Sequence, residues 1–297
     1  MRAMPELPEV ETIRRRLAPR LEGRTIERLD VRDPRWCQPL DAGLVCADLT
    51  GRRIERLGRR GKYFVFDLSG DLHLLWHLRM TGTLLYDPDP AQPAHARVVA
   101  SLDDGHRLVF VDPRRFGTGE LAAGPEELEA FFARRLGVEP LGPGFTAEHL
   151  GALARGARAP VKAFLLDQKR IAGVGNIYAD EALHRAGIHP LRPAGRLRPA
   201  QLAALRDAVV WALEAGIAAN GASIDDFRHP DGARGSFQDE FLVHRREGEP
   251  CPRCGTPVRK LLAAGRGTYV CESCQPRPRA ARARRPGAAP AARGSRR

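Results

Sequence analysis

A chain of 297 residues with 43% hydrophobic residues is long enough for two domains and a small appended module, each with an ordinary buried core. No apolar run approaches the roughly 20 residues of a membrane span, and the charged, helix-patterned start excludes a signal peptide with an apolar centre. A cytoplasmic protein without a membrane partner is therefore expected. The formal net charge of +12 favours a polyanionic partner, but eight arginines and no acid fall within residues 275–297. Motifs in the core must carry any nucleic-acid reading.

The first predicted element is an amphipathic helix over 6–22, because Leu7, Val10, Ile13, Leu17 and Leu21 recur at three and four residues. It opens with Pro5-Glu6-Leu7-Pro8-Glu9. Glu6 and Glu9 share a face, and acids in a first turn complement the helix dipole, so spacing alone favours helix-end stabilisation. Pro5 has a second chemistry open to it, but only as a first residue. A free N-terminal proline is a secondary amine that can attack an electrophilic carbon, whereas an internal proline is a tertiary amide. Met1-Arg2-Ala3-Met4 precede it. Aminopeptidases that trim the initiator methionine need a small second residue, so a chain begun at Met4 matures to free Pro5 and one begun at Met1 does not. A start at Met4 is expected.

After Gly23 short strands are predicted at 25–31, 44–49, 53–57, 63–68, 73–78, 84–86, 97–102 and 107–111, between Gly, Asp and Pro breaks. They suggest an antiparallel sandwich or barrel covered on one side by the first helix. Cys37 and Cys46 fall in this strand-like region and read as reduced packing residues. Helices follow at 125–136, 147–155, 161–167, 177–186 and 199–219. A β half followed by an α half argues for two domains meeting near Gly124. The expected division is 1–124 for the β domain, 125–235 for the helical domain, 236–275 for a cysteine module and 276–297 for a disordered basic tail. The polar stretch 221–248 is expected to be a partly mobile loop. The tail has two readings, a solvated extension or an auxiliary nucleic-acid tether.

Cys251-x2-Cys254-x16-Cys271-x2-Cys274 is the strongest local signal: two tight pairs on hairpin turns put four thiolates within tetrahedral reach of one structural Zn²⁺. With four protein ligands that zinc activates no water. It would fold a hairpin carrying Lys260, Arg266 and Tyr269, whose basic tip suits a DNA backbone or groove. Gly173-Val174-Gly175-Asn176 leads into a helix that Asn176 can cap, and free N–H groups there favour a phosphate, with Lys162, Lys169 and Arg170 upstream. An interhelix turn is the plainer alternative. Met80, Arg114 and Phe116 lie on two strand ends or loops; an apolar wedge beside an arginine can unstack a base pair, although such residues also serve as core and solvated turn. Arg59-Arg60-Gly61-Lys62 is a basic turn that can meet a phosphate. His73, His77, His95 and His106 show no ligand spacing for a second metal.

In their order along the chain these motifs resemble those of the formamidopyrimidine-DNA glycosylase family: Pro5-Glu6-Leu7-Pro8-Glu9, Gly61-Lys62-Tyr63, His77-Leu78-Arg79-Met80, Asp112-Pro113-Arg114-Arg115-Phe116-Gly117, Gly173-Val174-Gly175-Asn176-Ile177-Tyr178, Gly248-Glu249-Pro250-Cys251 and the four cysteines. The resemblance runs from Pro5 to about Gln275. It implies an α+β multidomain fold, with an N-terminal helix on an antiparallel β-sandwich, a helix-two-turns-helix domain and a zinc finger. It also implies a monomeric bacterial glycosylase and lyase that works at the nucleoid on oxidised purines in duplex DNA, with zinc as the one metal and no obligate protein partner.

Carried over by the resemblance, Pro5 is the nucleophile, Glu6 the general acid/base, Glu9 a supporting contact and Lys62 a contact to the backbone at the lesion. Met80, Arg114 and Phe116 fill the gap left by the flipped nucleotide, with Arg114 facing an orphaned cytosine. Asn176, Arg266 and His95 hold phosphates. Two features depart from the family pattern: Ser236 stands where an aromatic is common in the lesion-capping loop, and residues precede Pro5. The endonuclease VIII branch is less similar, since it tends to carry glycine at the Leu7 position and lacks the Arg114-Arg115-Phe116 wedge. The readings of a different class are a lesion-binding protein with Pro5 locked in an amide, and a zinc-finger nucleic-acid module indifferent to damage.

Overall fold

The computed structural model describes residues 4–88, 93–223 and 234–278. Helix α1 (Leu7–Leu21) leads into β1 (Ile26–Val31), α2 (Ala42–Leu49), β2 (Ile54–Arg60), β3 (Tyr63–Leu68), β4 (Leu72–His77), β5 (Thr83–Tyr86), β6 (Ala96–Leu102), β7 (Arg107–Val111) and β8 (Thr118–Ala123). Two antiparallel four-stranded sheets result, ordered β1-β6-β7-β5 and β2-β3-β4-β8. Phe64, Phe66, Trp76, Val98 and Phe110 fill the sandwich between them, and α1 adds Val10, Ile13, Leu17 and Leu21 to the same core. Leu7, one turn earlier, belongs to the core of the helical half. The first turn of α1 is therefore the joint between two cores.

Helix α3 (Gly124–Ala133) folds back on the outer face of the second sheet, packing Phe131 and Phe132 against Tyr63, Val65 and Leu75. That cover explains why β3 reads as a continuous apolar run rather than an alternating one. The helical half comprises α4 (Ala147–Ala154), α5 (Val161–Leu166), α6 (Asn176–Arg185) and α7 (Pro199–Ala218), and the hairpin β9 (Arg259–Ala263) and β10 (Arg266–Val270) completes the chain. Among the described residues no helix is long and apolar enough to cross a membrane.

Two elements depart from the sequence reading. Residues 44–49 form the end of α2, not a strand: the Asp41 carboxylate accepts from the backbone N–H groups of Gly43 and Leu44 at 2.8 and 3.1 Å, and Val45 and Leu49, four apart, turn inward while Leu44 stays exposed. Cys46 accordingly lies on a helix and Cys37 on a short 3-10 turn (Pro34–Cys37), both as free thiols. Strand β8 carries no sequence signal of its own, because Thr-Gly-Glu-Leu-Ala-Ala has little β propensity. Pairing with β4 recruits it, and Gly119 is required there because a Cβ would stand 2.1 Å from the Trp36 ring.

Of the stretch expected to be a loop, residues 224–233 lie outside the described residues, as do Gly232 and Ala233 of the segment expected to cap the lesion and residues 279–297 of the tail. The part that is described is anchored: a 3-10 turn (Phe237–Glu240) buries Phe237, and Phe241, Val243 and His244 are buried after it.

Candidate active site

The backbone N–H of Leu7 donates to the Gly173 carbonyl at 3.1 Å, which sets the entrance of α1 against the Gly173–Gly175 turn. Gly173 has φ +81°, and Gly175 lies so close that a Cβ would come 2.2 Å from the Glu6 carboxyl carbon. Gln168 shapes the turn from below, accepting from Gly173 N and donating to Val174 O. This close approach brings Glu6 Oε1 to 3.0 Å from the Ile177 N–H, so the carboxylate of one helix start caps the first turn of α6. Asn176, expected to be that cap, is instead the first residue of α6. Its Nδ2 donates to the Gly267 carbonyl at 3.1 Å and its Oδ1 is buried without a partner among the described residues.

Glu6 is buried, and its Oε2 meets no hydrogen-bond donor among the described residues. Burial pushes its pKa up, against the opposing pull of Lys62 and the α6 backbone. Glu9 is also buried. Its Oε2 accepts from the Glu6 N–H at 2.9 Å, while its Oε1 accepts from Tyr178 Oη and Ala222 N, each at 2.7 Å. Burial, then the neighbouring Glu6, raises Glu9 to about 7. Lys62 is buried and shifted down by desolvation, with Glu6 opposing the shift. A cavity of about 440 Å³ gathers Met4, Glu6, Lys62, Met80, Asn176 and Arg266 on its wall. Pro5 lies buried between Met4 and Glu6.

Beside this cavity two loops are tied by one carboxylate. Asp112, fully buried, accepts from Thr81 Oγ1, from Arg114 N at 3.2 Å, and from Phe116 N and Gly117 N at 2.8 Å each. Arg79 and Arg115 hold left-handed φ angles of 55° and 59°, a conformation costly for a side-chain-bearing residue. Phe116 remains 49% exposed with the Arg114 guanidinium 4.7 Å over its ring. An exposed aromatic and arginine on a loop pinned from beneath are suited to enter a base stack. His95, also exposed, joins the group through its carbonyl, which accepts from Asp112 N at 3.1 Å. It does not line the cavity.

Lys162 does not face a phosphate. It is fully buried, bonded to Asp180 Oδ1 at 2.6 Å, Thr268 Oγ1 at 2.8 Å and Gly267 O at 3.2 Å, while Asp180 Oδ2 meets His244 Nδ1 at 2.9 Å. This network fastens the β9–β10 hairpin to α5 and α6 and leaves Arg266 exposed on β10. The Sγ atoms of Cys251, Cys254, Cys271 and Cys274 all lie within 4.8 Å of one another, with 254–271 at 3.5 Å and 251–274 at 3.9 Å. Tetrahedral zinc with ~2.3 Å bonds spaces its sulfurs ~3.8 Å apart. Four thiols so placed fit one structural zinc ion.

Sequence reasoning passed over Tyr178, Asp112 and His244. Tyr178 and Asp112 stand inside motifs quoted for other residues, and His244 gives no local signal. Their roles depend on partners 169, 31 and 64 positions away.

A buried carboxyl at the start of a helix, an exposed arginine–phenylalanine loop beside it and a basic hairpin on a four-cysteine cluster across the cavity fit a DNA glycosylase of base-excision repair. Residues 4–119, 136–228 and 248–277 match, in turn, the formamidopyrimidine-DNA glycosylase N-terminal domain, the formamidopyrimidine-DNA glycosylase H2TH domain and the zinc finger found in FPG and IleRS. The chain is 45% identical over 285 residues to the formamidopyrimidine-DNA glycosylase of Ruegeria pomeroyi, covering 92% of this chain and 100% of the relative. It is 48% identical over 259 residues to that of Moorella thermoacetica, covering 87% and 94%. Among solved structures it is similar to the MutM (Fpg) protein of Thermus thermophilus (42% identity, TM-score 0.83, covering 91% and 98%). It is also similar to the Lactococcus lactis Fpg in complex with DNA containing an abasic site (34% identity, TM-score 0.86, covering 92% and 100%). The chain belongs to the formamidopyrimidine-DNA glycosylase family.

Proposed function

We propose that Pro5, once it carries a free amine, is the nucleophile of a glycosylase and AP lyase that excises oxidised purines, 8-oxoguanine and formamidopyrimidines, from duplex DNA. The observation that carries this reading is Glu6 itself: a carboxyl held toward its neutral form by burial, with Oε2 unpartnered, next to Pro5 on the wall of the cavity. The Pro5 nitrogen bonds to C1′ as the bond from C1′ to the base breaks; the base leaves with the electron pair and takes up the proton that the amine sheds. Glu6 donates its proton to O4′ as the sugar ring opens, leaving an iminium between Pro5 and C1′. The iminium acidifies the C2′ proton, whose loss expels the 3′ phosphate, and a second elimination expels the 5′ phosphate.

Glu9 supports Glu6 from beneath. Lys62, Asn176, Arg266 and His95 meet backbone phosphates, and Met80, Arg114 and Phe116 fill the vacated stack with Arg114 toward the orphaned cytosine. In this scheme residues 1–124 carry the chemistry, 125–235 and 236–275 grip the duplex, and 276–297 add a basic tail. The enzyme of this scheme acts as a monomer in the bacterial cytoplasm on nucleoid DNA.

A second reading has its own support. Met4 lines the cavity, and while the Met4–Pro5 peptide bond persists Pro5 has no lone pair to give, so the chain would bind lesions without cutting. Borohydride trapping on an 8-oxoguanine duplex decides between them. A covalent adduct that Pro5→Gly abolishes is expected, from a protein whose intact mass begins at Pro5. No adduct from such a protein would exclude the catalytic reading.

A further inference from the structure

The end of α6 opposite Glu6 meets the cysteine knuckle. His184, in the last turn of α6, is fully buried, and its Nε2 lies 3.3 Å from the Sγ of Cys251, which is 2% exposed. A cysteine bound to zinc is a thiolate with no proton to donate, so this contact must run from Nε2–H to sulfur. The other ring nitrogen, Nδ1, is buried with no partner among the described residues. A proton placed there would be a buried orphan donor, whereas on Nε2 it is satisfied.

Two further contacts fasten the same junction. Arg253 Nη1 donates to the carbonyls of His184 and Arg185 at 3.3 and 3.4 Å. Gln275 donates to Ile188 O at 2.9 Å and accepts from Cys271 N at 3.1 Å. Those bonds set the position of the knuckle, and among the described contacts the one from His184 reaches a ligand sulfur from the helix. A hydrocarbon ring would fill the same space without burying two polar nitrogens, so the imidazole calls for a polar role.

We propose that His184 is a positioning residue of the zinc site: it donates its Nε2–H to the Cys251 thiolate and so locks the metal knuckle to the helix whose opposite end holds Glu6. A thiolate in a four-cysteine centre carries excess negative charge, and a buried donor withdraws part of it and fixes the direction of the sulfur lone pairs. Partners of this kind are worth roughly 10–100-fold in metal affinity.

The test uses the full zinc-loaded chain with His184→Phe, which keeps the ring volume, and His184→Gln, whose Nε2 reaches a similar place. His184→Phe is expected to release zinc to an excess of chromogenic chelator ~10–100-fold faster. After cobalt substitution its sulfur-to-metal charge-transfer band should move to lower energy, since the thiolate lone pair loses its donor. His184→Gln should return both readings toward the parent. Parent-like release and an unmoved band in His184→Phe would overturn the proposal, and so would equal loss in both variants with an unmoved band, which is the signature of space filling. A third measurement needs no variant: nitrogen-15 spectra of the imidazole in the parent zinc protein should show the proton on Nε2, and an Nδ1–H tautomer would overturn the assignment outright.

Discussion

Glu6→Gln separates an acid from a helix cap. Glutamine keeps the carbonyl oxygen that accepts from Ile177 N at 3.0 Å and loses only the second oxygen, which in the parent has no partner. The fold should therefore lose no more than the cost of one buried unsatisfied donor, roughly 1–3 kcal/mol, and affinity for a lesion duplex should be nearly intact. Base release should slow by roughly 10²–10⁴-fold, the range for removing a positioned general acid. Burial raises the pKa of Glu6, so the reactive neutral form is present below that raised value and is lost as pH rises through it. The parent should show a falling alkaline limb in single-turnover base release, and Glu6→Gln should lack it. The assay pairs duplex-binding anisotropy with single-turnover release of 8-oxoguanine, on protein whose first residue is Pro5. Equal losses in binding and release, with the pH profile unchanged, would reduce Glu6 to a helix-end residue and refute the acid role.

Gly175→Ala should abolish base release while sparing zinc content, because its Cβ would fall 2.2 Å from the Glu6 carboxyl carbon; normal turnover in a folded alanine variant would show that the close approach is dispensable. Asp112→Ala strips four donors of their acceptor and should cost roughly 3 kcal/mol in denaturant unfolding. The same variant should blur discrimination among bases opposite the lesion, and parent-like unfolding and discrimination would argue against a common anchor for the wedge loops. Deleting residues 276–297 should weaken duplex affinity mainly at low salt, through lost counterion release, and an unchanged slope of affinity against salt would rule out a tether.

Elements governed by neighbours along the chain were legible. The three-and-four spacing of Leu7, Val10, Ile13, Leu17 and Leu21 defined α1, and the apolar runs of β3 and β7 sit at the predicted residues. Where two neighbours compete, the pattern misled: residues 44–49, apolar apart from Asp48, belong to the eight-residue helix α2, whose fate was decided by one capping aspartate before it. Distance along the chain hid the rest. The donor that Glu6 caps lies 171 residues away, and Lys162 reads as a surface cation until Asp180 and Thr268, 18 and 106 residues on, enclose it. The four cysteines were legible because metal ligation imposes its spacing within each pair, whereas the His184 contact to Cys251 carries no such local mark.

Glu6 stands at the joint between the two cores. Leu7 is packed in the helical core and Val10 in the sandwich core, so α1 cannot turn without disturbing one of them. Glu6 and Glu9 then add hydrogen bonds across the same seam, to Ile177 N, Tyr178 Oη and Ala222 N. Tyr178 is itself stacked on Phe237, with ring centroids 5.2 Å apart, so the segment at Phe237 rests on the partner of Glu9. A hinge between the two halves that opened at this seam would pull Glu6 from the start of α6, hydrate its carboxyl and lower its pKa toward the ordinary carboxylate range. The upward shift of Glu6 therefore depends on the two cores staying packed at this seam.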